Sequence, residues 1–361
     1  MAQVSLSNEN WIEVFSDEKV MKILLDHVSC FDIQQLRKVS YQIRNCIDTI
    51  KPDPRIQSIT IKGMNINQFD LIINLKNESA KIGYHDQQSI CMISAYGTRK
   101  LVASSYLSAL LSDFNLLLEN QKSVLNELRF EFLYESYFQV VRRGHGRYEE
   151  KNFLKEISSD LLEEFKMSLT SRCFPLRVEK LYMEVQYEED VMKVLPHQDA
   201  NSLKSIELRS LDNSTRSVRL RVDQMVKLEQ WKKAERLIAD TFVIITPLQE
   251  INISHFTEVD ICVDEITSDD VAYLKEKLLN SSGFKKFKIS FLHTSPNDPI
   301  DCVLGQPYFR QDDQISDERK VWYYETKNPQ FIIIVLYYVS SSFTFSFVDI
   351  DSIPKDAVVQ K

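Results

Sequence analysis

Apolar residues recur every three or four positions in three short runs near the N-terminus, and this spacing predicts amphipathic helices. The first helix, capped by Ser16, would carry the stripe Val20, Met21, Leu24, Leu25 and Val28. The second run covers residues 33–39, and Ser40 would begin a third helix that Pro52 and Pro54 end. Three helices in about 45 residues form a very small core. We therefore expect another chain to cover part of their apolar surface.

A second pattern follows Pro54, in which large apolar residues alternate as Leu-x-x-Leu-x-Leu. It begins at residues 125, 178, 203, 256 and 284, which fits a unit of about 26 residues with some units skipped. Helical patterns fill the gaps at residues 106–124, 153–169, 224–238 and 268–279. The last of these follows Thr267 and Asp270, a pair close to a capping box. The sequence thus predicts an α/β fold, with a small three-helix module before an irregular leucine-rich-repeat-like α/β solenoid.

The most apolar run is Phe331–Val339, and its length predicts a buried strand because a bilayer needs about 20 apolar residues. The first residues show no basic region followed by an apolar core, so we expect no secretory signal and a location in the cytoplasm, the nucleus or both. The chain carries 44 basic and 52 acidic residues, for a net charge of −8. That balance argues against nucleic acid or a membrane surface as the partner and favours a protein.

The chain offers little raw material for enzyme chemistry. It contains 7 glycines, and its sequence has no phosphate-binding loop, nucleophile elbow or His-Glu-x-x-His zinc helix. The 6 cysteines lie too far apart for a metal knuckle or a redox pair, and the 6 histidines are isolated. We therefore expect no catalytic residue, no metal and no cofactor, and we interpret His255 and Trp231 as structural. An enzyme with a composite site stays an open alternative.

The N-terminal runs carry a more specific signal in three segments: Phe15-Ser-Asp-x-x-Val20-Met21-x-Ile23-Leu24, Asp32-Ile33-x-x-Leu36-Arg37-Lys38-Val39-Ser40, and Ile43-Arg44-x-x-Ile47-Asp48. Together they resemble an F-box, although Ser16-Asp17 stands where many F-boxes have Leu-Pro and Ile43 where many have Trp. The resemblance implies binding to the small adaptor of a cullin-RING ubiquitin ligase. The adaptor-binding residues it implies are Phe15, Val20, Ile23, Leu24, Ile33, Leu36, Val39, Ile43 and Ile47. Alternatively, the same stripe packs internally and the helices form an N-terminal cap.

A second resemblance covers the later part of the chain. Its carriers are Leu228-Glu229-Gln230-Trp231-Lys232-x-Ala234, His255-Phe256-x-x-Val259-x-Ile261, and Asp270-x-x-x-Leu274-Lys275-Glu276-x-Leu278-Leu279 ahead of Phe284. They are similar to the FTH domain that follows the F-box in a large nematode family. We expect an F-box at 10–52, the first part of the repeat region at 55–149, an FTH-like repeat domain at 150–295, and a strand-rich cap and tail at 296–361. The FTH-type solenoid would then be the substrate receptor of an SCF-type ligase, or the chain would be a non-catalytic scaffold or decoy.

The strand pattern also indicates where a protein substrate would bind, because strand side chains alternate between the two faces of a sheet. The positions between the apolar ones are mostly polar and would share one face. The predicted substrate-binding residues there are Tyr182, Glu184, Glu207, Arg209, Asp260, Lys286 and Lys288. Plain solvation of that face is the alternative. A basic cluster at 142–147 is interpreted as a solvated loop, with phosphate or acidic-peptide binding as the other possibility.

Overall fold

In a computed structural model, the chain consists of two structural units. The first comprises Met1–Gln139 and Met167–Val178, and the second comprises Val140–Lys166 and Glu179–Lys361. The structure describes residues 17–65, 67–88, 90–132, 147–211, 218–281, 283–294, 302–308, 319–327, 330–339 and 341–360, with only the backbone for 147–156. Among these residues, no helix combines the length and the apolar character that crossing a membrane requires.

The first unit begins with three short helices, α1 (Glu18–Leu25), α2 (Cys30–Leu36) and α3 (Tyr41–Ile50). Each begins after a polar residue whose side chain accepts a hydrogen bond from a backbone N–H of the first turn. That residue is Asp17 for α1, rather than the predicted Ser16, which lies outside the described residues. Ser29 caps α2, so this helix begins three residues earlier than predicted, and Ser40 caps α3 as predicted.

The core of these three helices is small. The fully buried apolar side chains are Met21, Leu25, Ile33 and Ile47. Partly buried side chains pack against them, namely Leu24, Val28, Leu36, Ile43, Cys46 and Ile50. The helices thus share one cluster, which is the packing that the spacing of the apolar residues predicts.

The rest of the first unit is a sheet with one helix. Its elements are β1 (Ser58–Asn65), β2 (Gln68–Asn74), β3 (Ser79–Asp86), β4 (Cys91–Ala95), β5 (Thr98–Val102), α4 (Tyr106–Leu118) and β6 (Leu125–Glu131). The strand order is β6-β1-β2-β3-β4-β5, in which β1 and β6 are parallel and the other pairs antiparallel. The predicted repeat is therefore wrong for β2–β5, which follow β1 as a meander of hairpins. Helix α4 packs on β2 and β3 and buries Leu110, Phe114 and Leu118.

The second unit contains a larger sheet. Its strands are β7 (Val178–Val185), β8 (Ser205–Ser210), β9 (Arg219–Leu220), β10 (Arg236–Ile244), β11 (Glu258–Ile266), β12 (Lys286–Thr294), β13 (Arg319–Glu325), β14 (Phe331–Tyr338), β15 (Ser342–Asp349) and β16 (Val359–Gln360). The order is β7-β8-β10-β11-β12-β15-β14-β13-β16, and the short β9 pairs with β10. The run from β7 to β12 is parallel, whereas β12, β15, β14 and β13 pair in antiparallel fashion.

Helices fill several connections between the strands. They are α5 (Arg147–Thr170), α6 (Glu188–Met192), α7 (Glu229–Lys233), α8 (Leu248–Ile251) and α9 (Ser268–Asn280). Residues of α5 up to Lys166 belong to the second unit and those from Met167 to the first. Helix α9 begins with the predicted capping box, in which the Thr267 and Asp270 side chains each bond the other's backbone N–H. The chain is thus a mixed α/β protein with extensive sheet.

The strand predictions are largely confirmed, whereas the helix predicted over residues 224–238 is wrong. That segment contains a 3-10 turn at Met225–Lys227, the short α7, and the start of β10 at Arg236. Ala234, Leu237 and Ala239 are buried at the three apolar positions of the strand pattern. A pattern of large apolar residues does not detect this strand, because alanines occupy two of its three positions.

Candidate protein-binding surfaces

Helix α1 carries apolar residues on two faces. Met21 and Leu25 point into the three-helix core, whereas Val20 and Ile23 are 41% and 64% exposed. His27 continues the outer face, and its Nδ1 lies 2.9 Å from the Ile23 carbonyl oxygen. A short helix of a small module that keeps apolar side chains in water on its outer face is typical of a binding surface.

The junction between α2 and α3 exposes two further large side chains. Val39 is 68% exposed and Tyr41 is 72% exposed. Ser40 between them is fixed as the cap of α3, because its Oγ accepts a hydrogen bond from the Ile43 N–H at 3.2 Å. The two apolar side chains are therefore held outside the core at a defined place in the chain. We call Val20, Ile23, Val39 and Tyr41 the exposed apolar set.

The predicted adaptor-binding residues fall into three groups. Val20, Ile23 and Val39 are exposed, and Leu24, Leu36 and Ile43 are partly buried against the core. Ile33 and Ile47 are buried inside it, so their predicted direct contact with a partner is corrected to a packing role. Phe15 lies outside the described residues.

A pocket of about 470 Å³ lies in the first unit beside α2 and α3. Arg37 and Asp48, which form an ion pair at 2.9 Å, contribute to its wall, and so do Leu116 and Leu117 at the end of α4. The wall also includes Pro52 and Pro54 of the linker that follows α3. The pocket therefore lies where the helices, the linker and α4 meet.

The linker is tied to its surroundings by side-chain hydrogen bonds. The Asp53 carboxylate accepts bonds from the Ser123 N–H at 2.7 Å and the Ser123 hydroxyl at 3.2 Å. Arg55 donates to the Asp26 carboxylate at 2.7 Å and also to the Asp26 carbonyl. The Gln121 side chain bonds both the N–H and the C=O of Ile56, each at 3.1 Å. These bonds attach the helical module to the sheet of the first unit.

Polar side chains cover one face of the parallel strands in the second unit, as the alternation predicts. In register across β7, β8, β10, β11 and β12 lie Lys180, Ser205, Arg236, Glu258 and Lys286. The next row contains Tyr182, Glu207, Ile238, Asp260 and Lys288. We call these two rows, together with Glu184 and Arg209 of the row that follows, the polar face.

The charges of the polar face pair with one another between neighbouring strands. Lys180 lies 3.0 Å from Glu207, Arg236 lies 3.1 Å from Glu258, and Lys288 lies 3.3 Å from Asp260. Arg209 bridges Glu207 at 3.2 Å and the carboxylate of Asp240. In the first unit Arg129 of β6 likewise pairs with Glu127 and Glu131. Positive and negative groups thus alternate in space instead of forming patches of one sign.

Two carboxylates of the polar face have pKa values that are shifted in opposite directions. Burial alone would raise the pKa of Glu207, but hydrogen bonding and charge from Lys180 and Arg209 outweigh it and lower that pKa below 4.5. For Asp260 burial is the larger effect and raises its pKa above 3.8 despite the opposing Lys288. Ionised Glu207 is therefore stabilised by its neighbours, whereas ionised Asp260 is not fully compensated.

Two of the predicted substrate-binding residues are less accessible than predicted. Tyr182 is only 7% exposed, and its hydroxyl donates to the Glu184 carboxylate at 2.9 Å. Glu184 is itself buried. The predicted role of Tyr182 in direct substrate binding is therefore corrected, because the ring is packed and its hydroxyl is already bonded. Lys286 is exposed, and Arg209, Asp260 and Lys288 are partly exposed.

The structure gives His255 and Trp231 structural contacts. His255 places Nδ1 2.9 Å from the Asn252 carbonyl and Nε2 2.8 Å from the Trp231 carbonyl. Trp231 is buried and donates its indole N–H to the Ile251 carbonyl at 3.2 Å. Both residues stabilise the turn before β11, as their sequence positions predict.

The cysteine and histidine side chains that the structure describes do not converge on a metal site. Across the described ranges, no three His, Cys, Asp or Glu side chains are grouped so that they could hold a metal ion. Burial, with a smaller contribution from Glu78, raises the pKa of the Cys30 thiol to about 11, so this thiol is protonated and unreactive at neutral pH. In the predicted basic loop, residues 142–146 lie outside the described part of the chain.

Comparison with known proteins shows two similarities of this chain. Residues 159–303 match the FTH domain, so the second unit's parallel strands lie mostly within an FTH domain. The chain is also 23% identical over 323 residues to F-box A protein 224 of Caenorhabditis elegans, covering 87% of this chain and 74% of that protein. These findings define an FTH-domain protein. The chain contains a segment that matches the FTH domain and is similar, over most of its length, to a nematode F-box protein.

Proposed function

We propose that the chain is the substrate-recognition subunit of an SCF-type cullin-RING ubiquitin ligase. The three-helix module would be the F-box that binds the adaptor, and the FTH-type repeat would bind a protein substrate. The chain itself would perform no covalent chemistry. The observation that carries the proposal is the exposed apolar set, which lies within the segment whose pattern resembles an F-box.

The exposed apolar set argues against the helices being only a cap on the rest of the chain. A cap would bury its apolar stripe internally, yet Val20, Ile23, Val39 and Tyr41 all remain exposed. Burying a side chain of this size contributes about 1.5–3 kcal/mol. Docking on another protein would recover that free energy, and an apolar adaptor surface is the partner that fits.

The mechanism would be proximity. One part of the chain would bind the ligase through apolar contacts, and another would hold the substrate, so that the substrate's effective concentration at the ubiquitin-transfer site rises. The hydrogen bonds of Asp53, Arg55 and Gln121 support this role because they fix the module on the first unit. A firmly attached module loses less orientational freedom on binding than a module on a free linker.

For the substrate, we propose the accessible part of the polar face. Arg209, Asp260, Lys286 and Lys288 remain at least partly exposed, whereas Tyr182 and Glu184 are packed and would support them. Because the charges alternate in space, a substrate with matching alternate charges would be oriented as well as bound. The reversals Asp260→Lys and Lys288→Asp, each made singly, test this by their effect on substrate capture while adaptor binding is monitored.

The adaptor proposal is tested with the variant Val39→Asp in the full chain. A charge placed in a desolvated apolar contact costs several kcal/mol, so we expect binding to the purified nematode adaptor to be lost. Val39 suits the test because it is exposed, whereas Leu36→Asp would also disturb the core against which Leu36 packs. Isothermal titration calorimetry measures the binding.

The matched control is Val358→Asp in the second unit, where the valine is 70% exposed against 68% for Val39. This control should bind the adaptor as the unmodified chain does. Unchanged binding by Val39→Asp would refute the proposed docking surface. An unmodified chain that captures protein partners but never binds the adaptor would instead identify the scaffold or decoy alternative.

A further inference from the structure

Strand β5 forms one end of the first unit's sheet. It follows β4 in the strand order, and none of the described strands lies beyond it. Its residues Thr98–Leu101 are all exposed, with Leu101 at 64%. Tyr96, in the turn that leads into β5, is 72% exposed. An edge strand of this kind presents backbone hydrogen-bonding groups to which another chain can add.

The hairpin geometry tells which backbone groups point outward. Tyr96 and Gly97 have φ values of 50° and 76°, as in the two-residue turn that joins antiparallel strands, and Ala95 pairs with Thr98 across it. Pairing then alternates along the strand, so Thr98 and Lys100 direct their N–H and C=O groups toward β4. Arg99 and the residue at 101 direct theirs away from the sheet.

The charges on β5 differ from those of the polar face. Arg99 and Lys100 are exposed, and no ion pair or side-chain hydrogen bond joins either of them to another described residue. By contrast, Lys180, Arg209 and Lys288 each lie against a carboxylate. In a chain with a net charge of −8, two adjacent cations that have no ion-pair partner among the described residues offer a site for acidic groups.

We propose that β5 is a docking strand for an extended acidic segment of a partner protein, which adds to the sheet as an antiparallel strand. Two acidic residues of the partner would lie opposite Arg99 and Lys100, one on each face of the sheet, and apolar residues would lie opposite Leu101 and Val102. Read along the partner, the segment is two apolar residues followed by two acidic ones. This goes beyond the proposed function because it needs neither the adaptor nor the polar face.

A second copy of this chain fits β5 less well. An antiparallel pair of β5 strands centred on Lys100 would place that residue directly opposite its equivalent in the other copy, and like charges facing each other across strands are destabilising. Charged edge residues also prevent nonspecific strand pairing in many proteins. The acidic segment satisfies the charge that a second copy would not.

The experiment uses the full chain and a fluorescently labelled peptide, Ser-Val-Ile-Glu-Glu-Thr-Ser, whose binding is followed by fluorescence anisotropy. We expect saturable binding that weakens as salt rises, since exposed charges are screened. On peptide addition, hydrogen exchange at the amides of residues 99 and 101 should slow, because these N–H groups would become bonded. Absence of saturable binding would overturn the proposal and leave Arg99 and Lys100 a protective role only.

Charge exchange tests specificity. The double variant Arg99→Glu with Lys100→Glu should bind the acidic probe at least about tenfold more weakly. It should instead bind the same peptide with Lys-Lys in place of Glu-Glu. The control changes net charge equally at Lys285→Glu with Lys355→Glu, two exposed residues of the second unit, and should leave both affinities unchanged. Equal losses in the test and the control would overturn a defined site.

Backbone pairing is tested by Leu101→Pro, which removes an outward N–H but no hydrogen bond of the hairpin. Affinity for the probe should fall about fivefold or more. Leu101→Ala, which keeps the N–H, should bind more tightly than the proline variant. Methylating alternate backbone nitrogens of the probe gives the same test without altering the protein. Sedimentation would refute the proposal if it showed a dimer that is lost in Leu101→Pro and is unaffected by the probe, because that result indicates self-pairing. Adaptor binding, measured in parallel, should stay unchanged in every variant.

Discussion

The three-helix module and the parallel sheet of the second unit differ in how completely they bury their apolar side chains. The module has four fully buried core side chains and leaves four large apolar ones in water. The second unit buries whole aromatic rings, including Trp231, Phe242, Phe256 and Phe287, and pairs the charges on its open face. The difference teaches that the module keeps apolar surface in water, while the sheet pairs most of the charges on its open face.

That contrast also separates two kinds of recognition. A partner of the module would gain free energy mainly from apolar burial. A partner of the polar face would have to compete with ion pairs that already exist, such as Lys180 with Glu207. Such a surface selects by charge arrangement and shape more than by strength.

The largest effect is expected in the core of the second unit. Trp231→Ala would leave a cavity beside Phe256, whose ring centroid lies 5.4 Å from that of Trp231 in an edge-to-face contact, and would remove the bond to Ile251. We expect the free energy of unfolding to fall by about 3–5 kcal/mol. Urea denaturation of the full chain measures it. Trp231→Phe should lose less, and a loss below about 1 kcal/mol in the alanine variant would contradict this account of the core.

The next effect compares two isoleucines of the module. Ile47 is buried in the three-helix core and Ile23 is exposed. Ile47→Ala should destabilise the module by about 2–4 kcal/mol, whereas Ile23→Ala should change its stability by less than about 0.5 kcal/mol. Hydrogen exchange of amides in the three helices reports both values. The reverse order of effects would mean that the buried and exposed faces have been assigned wrongly.

The Ile23→Ala variant sharpens the comparison further when adaptor affinity is measured beside stability. An exposed side chain that contributes nothing to the fold should still weaken adaptor binding if it lies in the interface. A loss of affinity with unchanged hydrogen exchange is the expected combination. Unchanged affinity in Ile23→Ala would remove this residue from the proposed docking surface.

The smallest effect concerns the two carboxylates of the polar face. Glu207→Gln should cost about 1–2 kcal/mol at neutral pH, because it removes charge-assisted bonds to Lys180 and Arg209. Asp260→Asn should cost less, because burial raises the pKa of Asp260 and its ionised form is poorly compensated. Thermal denaturation of both variants at neutral pH compares them. A larger loss for Asp260→Asn would contradict the pKa directions.

The pH dependence has a defined sign for each group. The pKa of Glu207 is lowered on folding, so its contribution to stability is present above its ordinary value of 4.5 and is lost as pH falls through the lower folded value. The pKa of Asp260 is raised above 3.8, so protonation relieves its cost as pH falls. The difference in free energy of unfolding between Glu207→Gln and the unmodified chain should therefore become smaller as the pH falls.

Much of the second unit could be predicted because its strands repeat a strong local pattern and α9 begins with a capping box. A pattern of large apolar residues does not detect β10, because Ala234 and Ala239 occupy two of its positions. A pattern that admits alanine detects it. The hairpins of the first unit are marked in the sequence only by the alternation of β1 and by the turn at Tyr96 and Gly97.

The candidate surfaces could be predicted only in part. Alternation correctly placed Glu207, Asp260 and Lys288 on one face, because face follows from sequence parity. Exposure does not follow from parity, so the pattern predicts Tyr182 as a substrate contact although its ring packs and its hydroxyl bonds Glu184. Helical spacing likewise cannot tell Ile47 from Ile23, since each belongs to an apolar stripe and only the packing of three helices decides which stripe is inside.

The pairing of β1 with β6 has a consequence for synthesis of the chain. Ser58 lies opposite Glu127, and the whole meander and α4 lie between them in sequence. On the ribosome, β1 must wait on the order of seconds for β6 to emerge, with one edge unpaired, while the helices before it are already complete. In the second unit most parallel strands pair with the next strand made, so that sheet can grow as it is translated. The parallel strands β7, β8, β10 and β11 therefore leave an edge unpaired for a shorter time than β1 does.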